Sequence, residues 1–136
     1  MIVIDANILI YSLIESEQTF RVHQLRERDA DWRTAPLCLH ELLNVLTTFQ
    51  RNKRLTLTQC QQLLGHAQRF MEQAQVQIDL NHAISLAAQY KLTGYDAQYV
   101  ALAQMLDLPL ITEDRKLRQA VPQIACSLQT YLDRFK

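Results

Sequence analysis

Ile2-Val3-Ile4-Asp5-Ala6-Asn7 opens the chain with a β-branched apolar run that an acid and an amide stop at once. Such a run, short and bounded by polar residues, predicts a strand. A second one, Leu108-Pro109-Leu110-Ile111, is stopped by Thr112-Glu113-Asp114. In both cases an acid follows the carboxyl end of a predicted strand. Open α/β sheets bind ligands in the crevice outside those ends, so two acids placed there independently point to a site.

Between and beyond these runs the pattern is mostly helical. Asn7 is a good cap for a short helix carrying Ile8, Leu9, Tyr11 and Leu13, and Thr19 opens a second through Arg28. Trp32 to Leu37 reads as a short strand. From Cys38 to Arg51, Leu39, Leu42, Leu43, Leu46 and Phe49 keep helical spacing, with Glu41, Asn44 and Thr48 as a polar stripe. Thr56 or Thr58 caps a helix from Leu57 to Glu72. Val76 to Leu80 alternates like a half-buried strand, and Asn81 caps a helix from His82 to Tyr90. Thr93-Gly94 precedes a helix from Tyr95 to Leu106. After the strand Leu108–Thr112 come a helix Arg115–Ala120, a strand Gln123–Cys126 and a helix Leu128–Phe135 capped by Ser127. Strands alternating with helices predict an α/β fold with a central parallel sheet, its helix-rich middle forming an arm on one side.

The chain has 136 residues, 49% of them hydrophobic and 21% charged, which fits one soluble domain spanning 1–136 and excludes a disordered composition. No apolar run approaches a membrane span, and the start enters a strand without a leader-like segment, so a cytoplasmic location is expected. Cys38, Cys60 and Cys126 lack the spacing of a disulfide framework or zinc site and read as packing residues. Net charge is zero, but neutralising four of the 14 acids by metal leaves an excess of four positive charges, compatible with a polyanionic partner.

Four acids form the candidate constellation: Asp5, Glu41, Asp96 and Asp114. Each has a purely structural reading. Asp5 and Asp114 stand where helix caps are common, Asp96 follows Thr93 at capping-box spacing, and Glu41 reads equally as a solvated helix acid. The order of strands and helices nevertheless carries all four toward one sheet edge. At an effective dielectric near 20, two carboxylates ~5 Å apart repel by roughly 3 kcal/mol, so such a group binds cations, takes up protons or separates. Magnesium or manganese suits an all-oxygen donor set and the hydrolysis of phosphodiesters. No phosphate-binding glycine loop, dinucleotide fingerprint or zinc helix competes, and His23, His40, His66 and His82 are scattered.

With these residues in hand, the chain resembles the PIN-domain ribonucleases, and in particular the VapC-type toxins of toxin–antitoxin pairs. The resemblance rests on Val3-Ile4-Asp5-Ala6-Asn7, His40-Glu41-Leu42-Leu43-Asn44-Val45-Leu46, Tyr95-Asp96-Ala97-Gln98-Tyr99-Val100-Ala101-Leu102-Ala103 and Ile111-Thr112-Glu113-Asp114-Arg115-Lys116-Leu117. It implies a three-layer α/β/α sandwich, magnesium or manganese held by Asp5, Glu41, Asp96 and Asp114, and support of that pocket by Asn7 and Thr112. It implies RNA as substrate, a cognate antitoxin as partner, and a homodimer held by the early helices. Glu113 stands where many relatives carry a neutral residue and is the alternative fourth acid, Asp114 being preferred because Thr112-x-Asp114 resembles Asp5-x-Asn7 as a post-strand pair. Arg51, Lys53, Arg54, Arg115, Lys116 and Arg118 are candidate phosphate contacts, while core packing is the expectation for Tyr11 and Tyr95. The rival functions are an RNA-processing nuclease outside any toxin pair, a non-catalytic RNA-binding module, and a phosphotransfer domain using Asp5 as nucleophile.

Overall fold

Strand β1 (Ile2–Ile4) is buried along its whole length and lies between two parallel neighbours, β2 (Trp32–Arg33) and β3 (Leu110–Ile111). Beyond β3, β4 (Ala125–Cys126) completes a four-stranded parallel sheet of order β2-β1-β3-β4. Strands buried on both faces need no alternation, which is why Ile2-Val3-Ile4 is apolar throughout. The chain leaves β1 for one side of it and later fills the other. That reversal sets a topological switch point between β1 and β3, the place where open α/β sheets bind ligands.

The computed structural model describes residues 1–134. Eight helices cover the sheet: α1 (Ala6–Leu13), α2 (Thr19–Arg28), α3 (Leu37–Arg51), α4 (Leu57–Ala74), α5 (Leu80–Tyr90), α6 (Gly94–Leu106), α7 (Arg115–Ala120) and α8 (Leu128–Asp133). The result is a three-layer α/β/α architecture. Helix α6 packs on β1 and β3 and is shielded outside by α5. Ala97, Tyr99, Val100, Ala101, Leu102 and Ala103 are accordingly all buried, as befits a helix that is apolar most of the way round. Helix α1 packs against β1 and α3, while α2 lies on α1 and α8. Cys38, Cys60 and Cys126 are free and buried, as expected of packing residues. Among the described residues no helix is long and apolar enough to cross a membrane.

Several element boundaries differ from the expected ones, each for a local reason. The segment expected as a strand at Val76–Leu80 forms none: it follows an isolated bridge between Thr34 and Gln75, and its Val76 amide donates to the Thr34 carbonyl while Val76 and Ile78 pack on the core. Asp79, not Asn81, caps α5, its carboxylate accepting from the Asn81 and His82 amides, so the helix starts where the alternation seemed to continue. The strand expected from Trp32 to Leu37 stops at Arg33, because Pro36 precedes the first residue of α3. Asp5, not Asn7, caps α1, and Asn7 lies inside that helix. Thr56 caps α4 through a reciprocal bond with Gln59. Ser127 caps α8 as expected; the proposed end of that helix at Phe135 lies outside the described residues.

Thr34 ties three parts of this frame together. Its fully buried hydroxyl donates to the Ile4 carbonyl at 2.7 Å, and its backbone bonds Ala74 and Val76 at 3.0 Å each. Replacing it by valine keeps the shape and removes the hydroxyl donor. Thr34→Val is expected to lower unfolding free energy by about 1–2 kcal/mol, read as a lower urea midpoint with an unchanged slope.

Candidate metal centre

Asp5 stands at the carboxyl end of the central strand. It follows β1 directly and is buried, with one carboxylate oxygen accepting from the Ile8 amide at 3.3 Å as the α1 cap. Its other oxygen accepts from the Thr112 hydroxyl at 2.5 Å. The Thr112 oxygen in turn accepts from the Asp114 amide at 3.0 Å. One hydroxyl therefore joins the segment after β1 to the segment after β3, across the switch point. Burial is the largest cause that raises the Asp5 carboxyl, the Thr112 and Ile8 hydrogen bonds oppose it and the charges of Glu41 and Asp96 add to it, and together they hold the carboxyl at about 7.

The other acids arrive from separate elements. Glu41 stands one turn into α3, half-buried, and accepts from the Tyr99 hydroxyl at 2.7 Å. Burial raises its carboxyl first, the Tyr99 bond opposes this, and Asp96 adds repulsion. Asp96 lies in the first turn of α6, whose Thr93 cap accepts from the Asp96 amide at 3.0 Å. Burial raises Asp96 too, followed by the charge of Asp114, against the Thr93 hydrogen bond. Asp114 caps α7, accepting from the Leu117 amide at 3.1 Å. All four expected acids are thus linked by mutual repulsion, Asp5 to Glu41 and Asp96, and Asp96 to Asp114. The capping roles and this electrostatic coupling coexist.

Among the described residues no three His, Cys, Asp or Glu side chains are gathered tightly enough to hold an ion on their own. The donor chemistry still fits a hard divalent cation: the acids are oxygen donors, three of them with carboxyls raised by burial, and magnesium keeps several waters while using only a few carboxylates. Asp5, Glu41, Asp96 and Asp114 would hold it, in part through water.

Glu113 turns elsewhere. It accepts from the Leu128 amide at 2.8 Å, at the start of α8, and its other oxygen lies 3.9 Å from Arg118. This favours Asp114 as the fourth acid. Of the two expected supporting residues, Thr112 makes its bond to Asp5, whereas Asn7 is exposed and its side chain makes no hydrogen bond to the described residues. Tyr95, expected in the core, is 64% exposed beside Asp96. Tyr11 is half-buried, its phenol raised first by burial and then by the charges of Asp5 and Glu113. Arg118 donates to the Thr112 carbonyl at 3.0 Å and so braces the loop, while Arg51, Lys53, Arg54, Arg115 and Lys116 are exposed. The four histidines are exposed as well. The sequence assigns Tyr99 no role beyond its place in the motif, although its position three residues after Asp96 puts both on one face of α6.

Comparison with known proteins fits this geometry. Residues 2–121 match the family model described as the PIN domain. Ribonuclease VapC3 of Pyrobaculum aerophilum is 26% identical over 126 residues, which cover 90% of this chain and 96% of that protein. A crystal structure from Pyrobaculum aerophilum superposes with a TM-score of 0.73 at 22% identity, covering 97% of this chain and 86% of the other. A toxin–antitoxin complex from Klebsiella pneumoniae gives 0.67 at 20% identity, covering 94% and 98%.

Because the folded Asp5 carboxyl is raised from 3.8 to about 7, the folded state binds its proton more tightly than the unfolded one. The stability this confers is complete below the lower value and lost as pH rises through the upper, by roughly 4 kcal/mol at most. Metal-free protein is therefore expected to melt at a higher temperature at pH 5 than at pH 8. Manganese should recover more of the melting temperature at pH 8, and Asp5→Asn should flatten the profile. A metal-free melting temperature that rises from pH 5 to pH 8 would contradict the burial of this carboxyl.

Proposed function

Because the chain belongs to the PIN domain family, we propose that it is a metal-dependent endoribonuclease, hydrolysing RNA phosphodiester bonds as the toxin of a toxin–antitoxin pair. The observation that carries this reading is the bond from Thr112 to Asp5 across the switch point, with Glu41, Asp96 and Asp114 in electrostatic reach of the same pocket. Four carboxylates would hold magnesium or manganese there. Bound cations of this kind neutralise charge on a phosphoryl group and activate water.

The chain's own residues do the rest. Thr112 and the Ile8 amide hold Asp5 in one orientation, and Tyr99 does the same for Glu41. RNA phosphates would meet the exposed Arg51, Lys53 and Arg54 after α3 and Arg115 and Lys116 in α7, whose charges offset the repulsion an acidic pocket presents to a polyanion. The exposed ring of Tyr95 offers a face on which an unpaired base can stack. An antitoxin and a second copy of the chain are the proposed protein partners. The protein named for ribonuclease activity and the solved toxin–antitoxin complex both support the toxin reading.

Purified protein with manganese is expected to cleave RNA, and chelation should stop it. Asp5→Asn and Asp96→Asn should each lower the rate by about 100-fold or more while the circular dichroism spectrum is kept. Cleavage at the wild-type rate by both variants would defeat the acidic-site reading. Light scattering on the purified chain should give about twice its 15.8 kDa mass; a monomer at micromolar concentration would remove the homodimer.

A further inference from the structure

Tyr99 is the largest fully buried side chain of α6, and it ends in a hydroxyl. Inside a packed core that group needs a partner. It has one: its hydroxyl donates at 2.7 Å to Glu41 on α3, 58 residues away in sequence. The ring is held by its neighbours in the core, so the hydroxyl is a fixed point, while Glu41 is a half-buried side chain with three rotatable bonds and a free choice of directions. No other hydrogen bond from the described residues restrains that carboxylate. The same helix presents Asp96 one turn earlier, so α6 both carries one acid and orients another.

We propose that Tyr99 is a positioning residue for the metal centre: its hydroxyl fixes the Glu41 carboxylate so that its other oxygen faces the pocket shared with Asp5, Asp96 and Asp114. The assignment rests on the reading of these acids as cation ligands. A hydrogen-bonded ligand is pre-set in direction and need not be ordered when the ion arrives, which is why partners one layer behind the ligands typically change metal affinity by 10–100-fold. Tyr99 touches neither ion nor RNA. Its effect passes entirely through Glu41.

Tyr99→Phe removes the hydroxyl and keeps the ring. Manganese titration by calorimetry should show affinity weakened by about tenfold, and at saturating RNA kcat should fall while KM for RNA is little changed. In a Glu41→Gln background the same substitution should have little further effect on metal affinity. Unchanged affinity and kcat in a folded Tyr99→Phe protein would overturn the proposal. So would an equal loss of affinity with and without the Glu41 carboxylate, which would assign the hydroxyl to packing alone. Should Tyr99→Phe fail to fold, a manganese-bound crystal structure of the wild-type protein decides: Glu41 still bonded to Tyr99 upholds the proposal, and Glu41 turned away from it overturns it. Asp96→Asn serves as the control for the parent reading. If that variant also binds manganese like wild type, the acidic site itself is what fails.

Discussion

A carboxylate buried at the carboxyl end of the central strand is the constraint around which this molecule is arranged. Asp5 directly follows β1 and is buried, which raises its carboxyl to about 7, and the Ile8 amide and the Thr112 hydroxyl, both aimed at it, oppose that rise. Those two donors come from opposite sides of the switch point. Remove the sheet order β2-β1-β3-β4 and Thr112 no longer lies beside Asp5. The topology and the acid therefore depend on each other.

Most of the four acids also do ordinary structural work. Asp5 and Asp114 cap helices, and Asp96 sits at the third position of a helix capped by Thr93. A carboxylate near a helix amino terminus interacts favourably with the exposed amides and the helix dipole, which partly offsets repulsion from its neighbours. Glu41 has no such support because it lies a turn into α3, and it is the acid that bonds a phenol instead. The capping and hydrogen-bonding partners thus differ from acid to acid while serving one electrostatic problem.

What the sequence made legible follows from these couplings. Ile2-Val3-Ile4 and Leu110-Ile111 are apolar without interruption, so both strands and the acids after them could be read directly. The four acids were found by the same logic, since each stands beside a strand end or near a helix start. Less visible was anything decided by a single competing hydrogen bond. Asp79 captures the start of α5 from the apparent strand at Val76–Leu80, and Asp5 takes the cap of α1 from Asn7. Spacing prefers Asp114 to Glu113, but what separates them lies in a contact with Leu128, fifteen residues on. Tyr99 stands in the sequence only as part of the Asp96 motif, and only the distant α3 gives its hydroxyl a partner.

One buried sulfur bears on which ions the crevice can attract. Cys38 precedes Glu41 by one helical turn and is fully buried, and desolvation pushes its thiol up to about 12. A protonated thiol is a poor ligand; a thiolate in its place would give the crevice the mixed sulfur and oxygen character that draws zinc and copper. With that sulfur buried and protonated, the donor set proposed for the site is oxygen alone, which suits magnesium or manganese better than softer metals.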